Sequence, residues 1–223
     1  KLGIGKHTGI DLTGETKGVN PSPEWLAGVR ERNPNYRWYA GQTAYFGIGQ
    51  GEVSATPLQM CRVVATVANR GKVVKPKFVR SVEEPDGSVH RVLPEITGTL
   101  DVPAGEWQTL IASLESVVVS GTATGAQIPG LSWGGKTGSA ERKGQAKTDA
   151  WFVGFAPLNN PKIAICVRIK GAGHGGAEAA PVAKEIVAKY LKLGAYKPAP
   201  PAASNEAAST SDRSASTVRP PAR

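Results

Sequence analysis

The sequence predicts an α/β sandwich in which helices flank an antiparallel sheet. Three apolar segments joined by short polar turns are typical of an antiparallel meander. They lie at about residues 132–141, 150–156 and 162–169. Three further segments repeat apolar side chains with the 3.6-residue period of a helix. They lie at about residues 56–69, 103–119 and 177–193. We therefore expect the last helix on one face of the sheet and the helix near Thr56 on the other.

Composition limits the protein class. The chain has 223 residues, 23.3 kDa and 40% hydrophobic residues, which suits one folded core. The formal net charge is +9, and such a surface can attract nucleic acid or an anionic wall polymer. The charges are dispersed, which favours a general role in solubility, and we expect no nucleic-acid partner. No secretory signal opens the chain and no apolar run has the length of a membrane span.

The cysteines and histidines indicate neither a disulfide framework nor a metal site. Cys61 and Cys166 lie far apart in apolar surroundings, so we expect buried free thiols. His7, His90 and His174 are isolated and lack metal-ligand spacing. We expect no metal and no cofactor.

Two helix starts can be identified in the first third of the chain. Ser22 is a good N-cap with Pro23 at the first helical position, and Thr56 and Pro57 repeat this arrangement. The glycines of residues 47–51 are expected to let the chain pass close to other backbone. The helix from Thr56 should be buried along an apolar stripe, which comprises Leu58, Cys61, Ala65 and Ala68, widened by Met60, Val64 and Val67.

The remaining elements follow in order. Residues 72–79 and 89–93 are predicted strands around a turn at 84–87, and Pro76 makes the first an edge strand. The helix at 103–119 has apolar positions at Trp107, Leu110, Ile111, Leu114 and Val117. The last helix has an apolar face of Val182, Ala183, Ile186, Val187, Tyr190 and Leu191. We expect one domain over residues 1–194 and a disordered Ala/Pro/Ser-rich tail over 195–223.

Residues 133–141 contain a Lys-Thr-Gly sequence flanked by glycines and followed by Ser139. One interpretation is a phosphate-binding loop, because residues 130–137 fit a glycine, four residues and then Gly-Lys-Thr. That loop needs a buried strand before it and a helix after it. A Gly/Pro-rich segment precedes this motif, and a polar turn and a strand follow it, which excludes the loop.

Two interpretations of the motif remain. The first is a glycine-rich hairpin with an incidental lysine. The second is the Lys-Thr-Gly element of penicillin-interactive serine enzymes, which belongs on a strand that lines a cleft. The predicted strand context agrees with the second interpretation.

The chain resembles the class B penicillin-binding proteins, and among them the penicillin-binding protein 2 type, the cell-elongation transpeptidases. The resemblance depends on the order and spacing of several segments between about residues 2 and 193. They are residues 8–15, 22–25, 47–51, 56–60, 135–140 and 149–155.

The resemblance implies the transpeptidase/serine β-lactamase type of α/β sandwich and D,D-transpeptidation of peptidoglycan. The family uses Ser-x-x-Lys, Ser-x-Asn and Lys-Thr-Gly motifs. No serine here has lysine three residues later or asparagine two residues later. We therefore expect these residues to be the carboxyl-terminal part of a transpeptidase domain whose nucleophile lies upstream, and to be inactive alone. The alternatives are a non-catalytic scaffold of wall synthesis and a β-lactamase or β-lactam sensor.

The resemblance also implies roles for four residues. Lys136 should supply positive potential to the substrate carboxylate and tune proton transfer, and Thr137 should hydrogen-bond that carboxylate with help from the Ser139 hydroxyl. Gly138 should keep the strand clear for the ligand, and the Ser139 backbone N–H should be one oxyanion-hole donor. Expected partners are stem peptides, β-lactams and a membrane glycosyltransferase. The expected location is the extracytoplasmic side of the inner membrane.

Overall fold

The structure is a computed structural model that describes residues 2–142 and 144–193. The tail predicted at 195–223 lies outside the described residues. The helices are α1 (Pro23–Arg32), α2 (Ala40–Gly47), α3 (Pro57–Ala68), α4 (Ala104–Val119) and α5 (Ala179–Tyr190). The strands are β1 (Lys72–Val74), β2 (Ser81–Glu83), β3 (Val89–Arg91), β4 (Ile96–Thr99), β5 (Gly134–Ala140), β6 (Asp149–Ala156) and β7 (Ile163–Ile169).

The predicted meander is the main sheet, with the antiparallel order β5-β6-β7. Lys136 pairs with Val153, which pairs with Cys166, so these three side chains share one face of the sheet. The central strand β6 is buried at six of its eight positions. This burial fixes the register, because a one-residue slip would turn each apolar side chain to the wrong face.

Helices pack against this sheet as the sandwich prediction requires. Helices α3 and α5 contact β6 and β7, and α4 contacts β5. A Cβ on Gly134 would lie 3.0 Å from backbone atoms of Leu114 and Glu115, so α4 covers the face on which Lys136 also lies. The loop that leads into α5 approaches the opposite face, where Gly176 lies beside Thr137.

Helix α3 begins as predicted, and Val64 of its predicted apolar stripe is buried, but polar residues outside that stripe are buried as well. The Thr56 hydroxyl accepts a hydrogen bond from the Gln59 N–H, and the Thr56 N–H donates to Gln59 Oε1, so the two residues form a capping box. The fully buried Gln59 side chain donates to the carbonyls of Lys6 (2.7 Å) and Lys17 (2.8 Å). Arg62 donates to the carbonyl of Thr8. These polar side chains are buried because residues 2–19 contain no helix or long strand and need donors for their carbonyls.

The prediction of two strands around a turn at 84–87 is wrong in its pairing, because residues 72–99 form two small sheets. Strand β3 follows the predicted turn, but its partner is β2 and not the predicted strand at 72–79. Strand β1 pairs instead with β4, which was not predicted. Strand β1 ends at Val74, before Pro76, which lacks the N–H that a continuing ladder needs.

The glycines before α3 do not have the predicted close approach to other backbone. A Cβ on Gly47 or Gly49 would have no atom within 4 Å, and one on Gly51 would lie 3.5 Å from the Tyr45 Cβ. Gly49 and Gly51 instead have φ of +76° and +77°. These two glycines therefore turn the chain after helix α2. Helix α2 itself was not predicted.

The apolar face predicted for α5 is also wrong in part. Its buried residues are Ala179, Ala180, Ala183, Val187 and Ala188. Val182, Ile186 and Tyr190 are 40%, 45% and 58% exposed. Small side chains let the helix backbone approach the sheet closely, so the alanines face the core while the larger residues lie outside. In α4, Trp107 is buried as predicted, but Leu110 is 40% exposed.

Candidate functional site

The Lys-Thr-Gly sequence lies within strand β5, as the sequence predicts. The next regular element is strand β6, so the phosphate-loop geometry is absent. Because side chains alternate along a strand, Lys136 and Thr137 point to opposite faces. Lys136 is exposed, and Thr137, Gly138 and Ser139 are half-buried.

Buried aromatic residues hold the start of β5 in place. Trp133 is 1% exposed, packs against Phe152 with ring centroids 5.5 Å apart and donates its indole N–H to the Ala126 carbonyl at 3.0 Å. A Cβ on Gly135 would lie 2.3 Å from the Phe152 ring, so glycine is needed where that ring crosses the strand. By contrast, a Cβ on Gly138 would lie 3.4 Å from Trp151 Cβ, which is an ordinary van der Waals distance. Packing against Trp151 therefore does not require glycine at position 138.

Strand β5 has an open edge within the described part of the chain, since its one sheet neighbour is β6. The Thr137 carbonyl accepts a hydrogen bond from Lys136 Nζ at 2.7 Å, and the Ser139 carbonyl accepts one from Gln50 Nε2 at 3.2 Å. These two carbonyls therefore point away from β6, to the open edge, where side chains donate to them. In an antiparallel ladder a residue directs its N–H and C=O to the same side. The Ser139 N–H therefore also points to the open edge.

Two hydroxyl groups meet at the motif although they come from separate segments. Thr122 Oγ1 lies 2.7 Å from Thr137 Oγ1. Thr122 belongs to the turn after α4, which continues into a 3₁₀ turn at Thr124–Ala126. The bond from Trp133 to Ala126 holds this turn near the strand. Thr122 was not predicted as a site residue, and no local pattern in the sequence identifies it.

Ser139 has two further neighbours that the sequence did not reveal. His174 Nδ1 lies 3.4 Å from Ser139 Oγ, although 35 residues separate them. Gln50 is the donor to the Ser139 carbonyl. Gln50 lies in the glycine-rich segment that carried the family resemblance, which was the one sequence signal available for it. His174 was expected to be isolated, and its place beside Ser139 follows from tertiary structure alone.

Asp149, at the start of β6, anchors the surrounding loops. Its 1%-exposed carboxylate accepts hydrogen bonds from Arg168 and, at 2.9 Å, from the Gly171 N–H. Arg142 lies 3.5 Å from the same carboxylate. Burial opposes ionisation, but the Arg168 and Gly171 hydrogen bonds and the nearby arginine charges hold the pKa of Asp149 below its ordinary value.

A surface cleft of about 430 Å³ adjoins the carboxyl end of the motif strand. Its lining residues are Tyr45, Gln50, Gly51, Glu141 and Arg142. Residues 136–139 do not line this cleft, and Gln50, which donates to the Ser139 carbonyl, connects the cleft to the motif strand. Among the described residues, no three His, Cys, Asp or Glu side chains converge as a metal site. No described helix has both the length and the apolarity to cross a bilayer.

Comparison with known proteins agrees with this geometry. A family model described as the penicillin binding protein transpeptidase domain matches residues 1–188. Peptidoglycan D,D-transpeptidase MrdA of Acinetobacter baumannii is 32% identical over 216 residues, which cover 91% of this chain and 31% of that protein. The chain thus spans about 31% of the length of this curated relative.

Solved structures show the same similarity. The crystal structure of Pseudomonas aeruginosa PBP2 in complex with WCK 5153 aligns with a TM-score of 0.70 and 30% identity, over 85% of this chain and 40% of that one. The complex of PBP2 and MreC from Helicobacter pylori aligns with a TM-score of 0.68 and 26% identity, over 86% and 34% of the two chains. The fold predicted from the sequence is therefore confirmed.

Proposed function

The chain belongs to the penicillin-binding protein transpeptidase domain family, and from this premise we propose that the complete protein is a peptidoglycan D,D-transpeptidase of the penicillin-binding protein 2 type. These residues contribute its Lys-Thr-Gly strand. The nucleophilic serine and its lysine come from a Ser-x-x-Lys motif outside this sequence. The serine oxygen attacks the D-Ala-D-Ala carbonyl, the terminal D-Ala leaves with a proton on its amine, and a stem-peptide amine then displaces the serine.

The open edge of β5 is the observation that carries this proposal. In this proposal the Ser139 N–H, which points to that edge, is the second oxyanion donor beside the N–H of the nucleophile itself. Removing one such donor typically costs about 100- to 1,000-fold in rate. An extended stem peptide can also pair with this edge through backbone hydrogen bonds.

The side chains of the motif supply charge and hydroxyl donors. Lys136 is exposed and carries the positive charge that attracts the substrate carboxylate. The Thr137 hydroxyl hydrogen-bonds that carboxylate, and the Ser139 hydroxyl assists. Gly138, which has no side chain, leaves room for the ligand beside the strand.

The proposed partners follow from the same chemistry. Stem peptides and β-lactams occupy the cleft beside β5, and a membrane glycosyltransferase supplies the glycan strands that are cross-linked. The structural relative from Helicobacter pylori is a complex of penicillin-binding protein 2 with MreC, which supports a protein partner for the complete protein. We place the domain on the extracytoplasmic side of the inner membrane, where peptidoglycan lies.

The test is labelling of the complete protein, encoded by the full reading frame, with a fluorescent penicillin. We expect a stable covalent label on the serine of a Ser-x-x-Lys motif. Lys136→Met should lower the labelling rate by at least about tenfold, because an ionic contact to the carboxylate is lost. Lys147→Met is the matched control, since Lys147 is an exposed lysine in the turn after the motif.

Two other outcomes would overturn the proposal. If no serine of the complete protein is labelled, the protein is a non-catalytic scaffold of wall synthesis. If the label forms and is released with rapid hydrolysis of the penicillin, the protein is a β-lactamase. Equal loss of labelling in the Lys136 and Lys147 variants would contradict the role of Lys136.

A further inference from the structure

The segment 171–176 connects β7 to α5 and carries His174 to the end of the motif strand. His174 is exposed, and its Nδ1 lies 3.4 Å from Ser139 Oγ. This distance is at the long end of the range for a hydrogen bond. None of the roles proposed above uses this histidine.

Backbone hydrogen bonds fix the segment on both sides of His174. The Gly173 N–H donates to the Thr148 carbonyl at 2.9 Å, and the Thr148 hydroxyl donates to the Gly173 carbonyl at 2.6 Å. The Gly171 N–H donates to the buried carboxylate of Asp149. After the histidine, the Glu178 N–H donates to the His174 carbonyl at 3.0 Å. The imidazole is therefore presented by a loop that is tied to strand β6.

Close packing against the sheet restricts the segment further. A Cβ on Gly175 would lie 2.1 Å from the Trp151 carbonyl oxygen and 2.5 Å from that of Gly138. A Cβ on Gly176 would lie 2.1 Å from the Thr122 carbonyl oxygen. Only glycine permits these approaches, because the obstructing atoms are backbone. The loop thus lies directly on the motif strand.

We propose that His174 is a positioning residue for the Ser139 hydroxyl, an inference that rests on the proposed function. Its Nδ1–H donates to Ser139 Oγ and occupies a lone pair of that oxygen. The serine proton is then directed away from the histidine, toward the carboxylate of the substrate or β-lactam. Thr122 Oγ1 also forms a hydrogen bond with Thr137 Oγ1, so each motif hydroxyl has its own hydrogen-bond partner.

The experiment measures the second-order rate of acylation of the complete protein by a fluorescent penicillin. His174→Leu removes the donor, whereas His174→Asn has nearly the same shape as leucine and retains an N–H near the position of Nδ1. We expect His174→Leu to slow acylation about fivefold and His174→Asn to restore most of that loss. His90→Leu, which replaces an exposed histidine on β3, should have no effect.

A double-mutant cycle with Ser139→Ala separates positioning from a general structural effect. If His174 acts through the serine hydroxyl, His174→Leu should change the rate less than about twofold in the Ser139→Ala protein. An equal effect in both backgrounds, or failure of His174→Asn to restore the rate, would overturn the inference while labelling of the unsubstituted protein still supports the proposed function. Absence of labelling in the unsubstituted protein would overturn both.

Discussion

Thr122 Oγ1 and Thr137 Oγ1 lie 2.7 Å apart, so one hydrogen bond joins the turn after α4 to the motif strand. A hydroxyl group has one proton and two lone pairs. If Thr122 donates, the Thr137 proton is free to meet a ligand carboxylate. The pair therefore connects the geometry of a distant turn to the orientation of a proposed binding group.

Thr122→Val should slow acylation of the complete protein by penicillin about three- to tenfold, because valine keeps the shape and loses the donor. Thr122→Ser keeps the hydroxyl and should remain close to the unsubstituted rate. Stopped-flow or gel-based labelling measures both variants. An unchanged rate in Thr122→Val would show that Thr137 is oriented without Thr122.

Gly175→Ala should sharply reduce acylation, because the added methyl group would overlap backbone atoms of Trp151 and Gly138. The loop must then move away from the strand and take His174 with it. Gly105→Ala in α4 is the matched control, since a Cβ there has no atom within 4 Å. That change should leave the rate intact and stabilise the helix by about 0.5–1 kcal/mol. Equal rates in the two variants would contradict the close packing of the loop.

Asp149→Asn should lower the melting temperature of the complete protein at pH 7, because Arg168 and the Gly171 N–H lose an ionised acceptor. The pKa of Asp149 is depressed in the folded state. The carboxylate therefore stabilises the fold above its unfolded pKa, and this contribution disappears as pH falls through the lower folded value. The difference in melting temperature between the unsubstituted protein and Asp149→Asn should therefore become smaller below about pH 4.

Asp101→Asn, at an exposed position before α4, is the control for Asp149. It should leave the melting temperature at pH 7 nearly unchanged. A difference between the unsubstituted protein and Asp149→Asn that stays constant from neutral to acid pH would contradict the assigned ionisation of Asp149.

Cys166 should resist alkylation in the folded protein. Burial, with a smaller contribution from Cys61, raises the pKa of its thiol to about 12. At pH 8.5 the reactive thiolate is therefore rare, and labelling should be much slower than in denaturant. Mass spectrometry of the Cys166 peptide after timed iodoacetamide treatment measures the two rates. Similar rates with and without denaturant would show that this part of β7 is accessible.

The elements with strong local signals could be predicted from the sequence. Thr56 and Ser22 cap helices because their hydroxyl oxygens accept N–H groups three residues later, which depends only on neighbouring residues. The meander was predictable because its apolar strands alternate with short polar turns. The free cysteines were also predicted correctly, although both are half-buried rather than fully buried.

Features that depend on long-range packing could not be predicted. Hydrophobicity alone favoured Ile186 and Tyr190 as core residues of α5, whereas close approach to the sheet selected Ala180 and Ala188, which were not predicted. In α3 the buried Gln59 binds carbonyls more than 40 residues away in sequence. The contacts that Ser139 and Thr137 make with His174 and Thr122 have the same origin, so the motif was predictable but its partners were not.

One edge of β5 has no neighbouring strand among the described residues, which affects the behaviour of the protein in solution. An exposed strand edge is a template on which a strand of another copy can assemble, and charged lysine side chains protect against such self-association. The Lys136 ammonium lies at this edge, on the Thr137 carbonyl. We therefore expect Lys136 also to limit self-association at this edge, so the labelling of Lys136 variants should be measured per amount of soluble monomer.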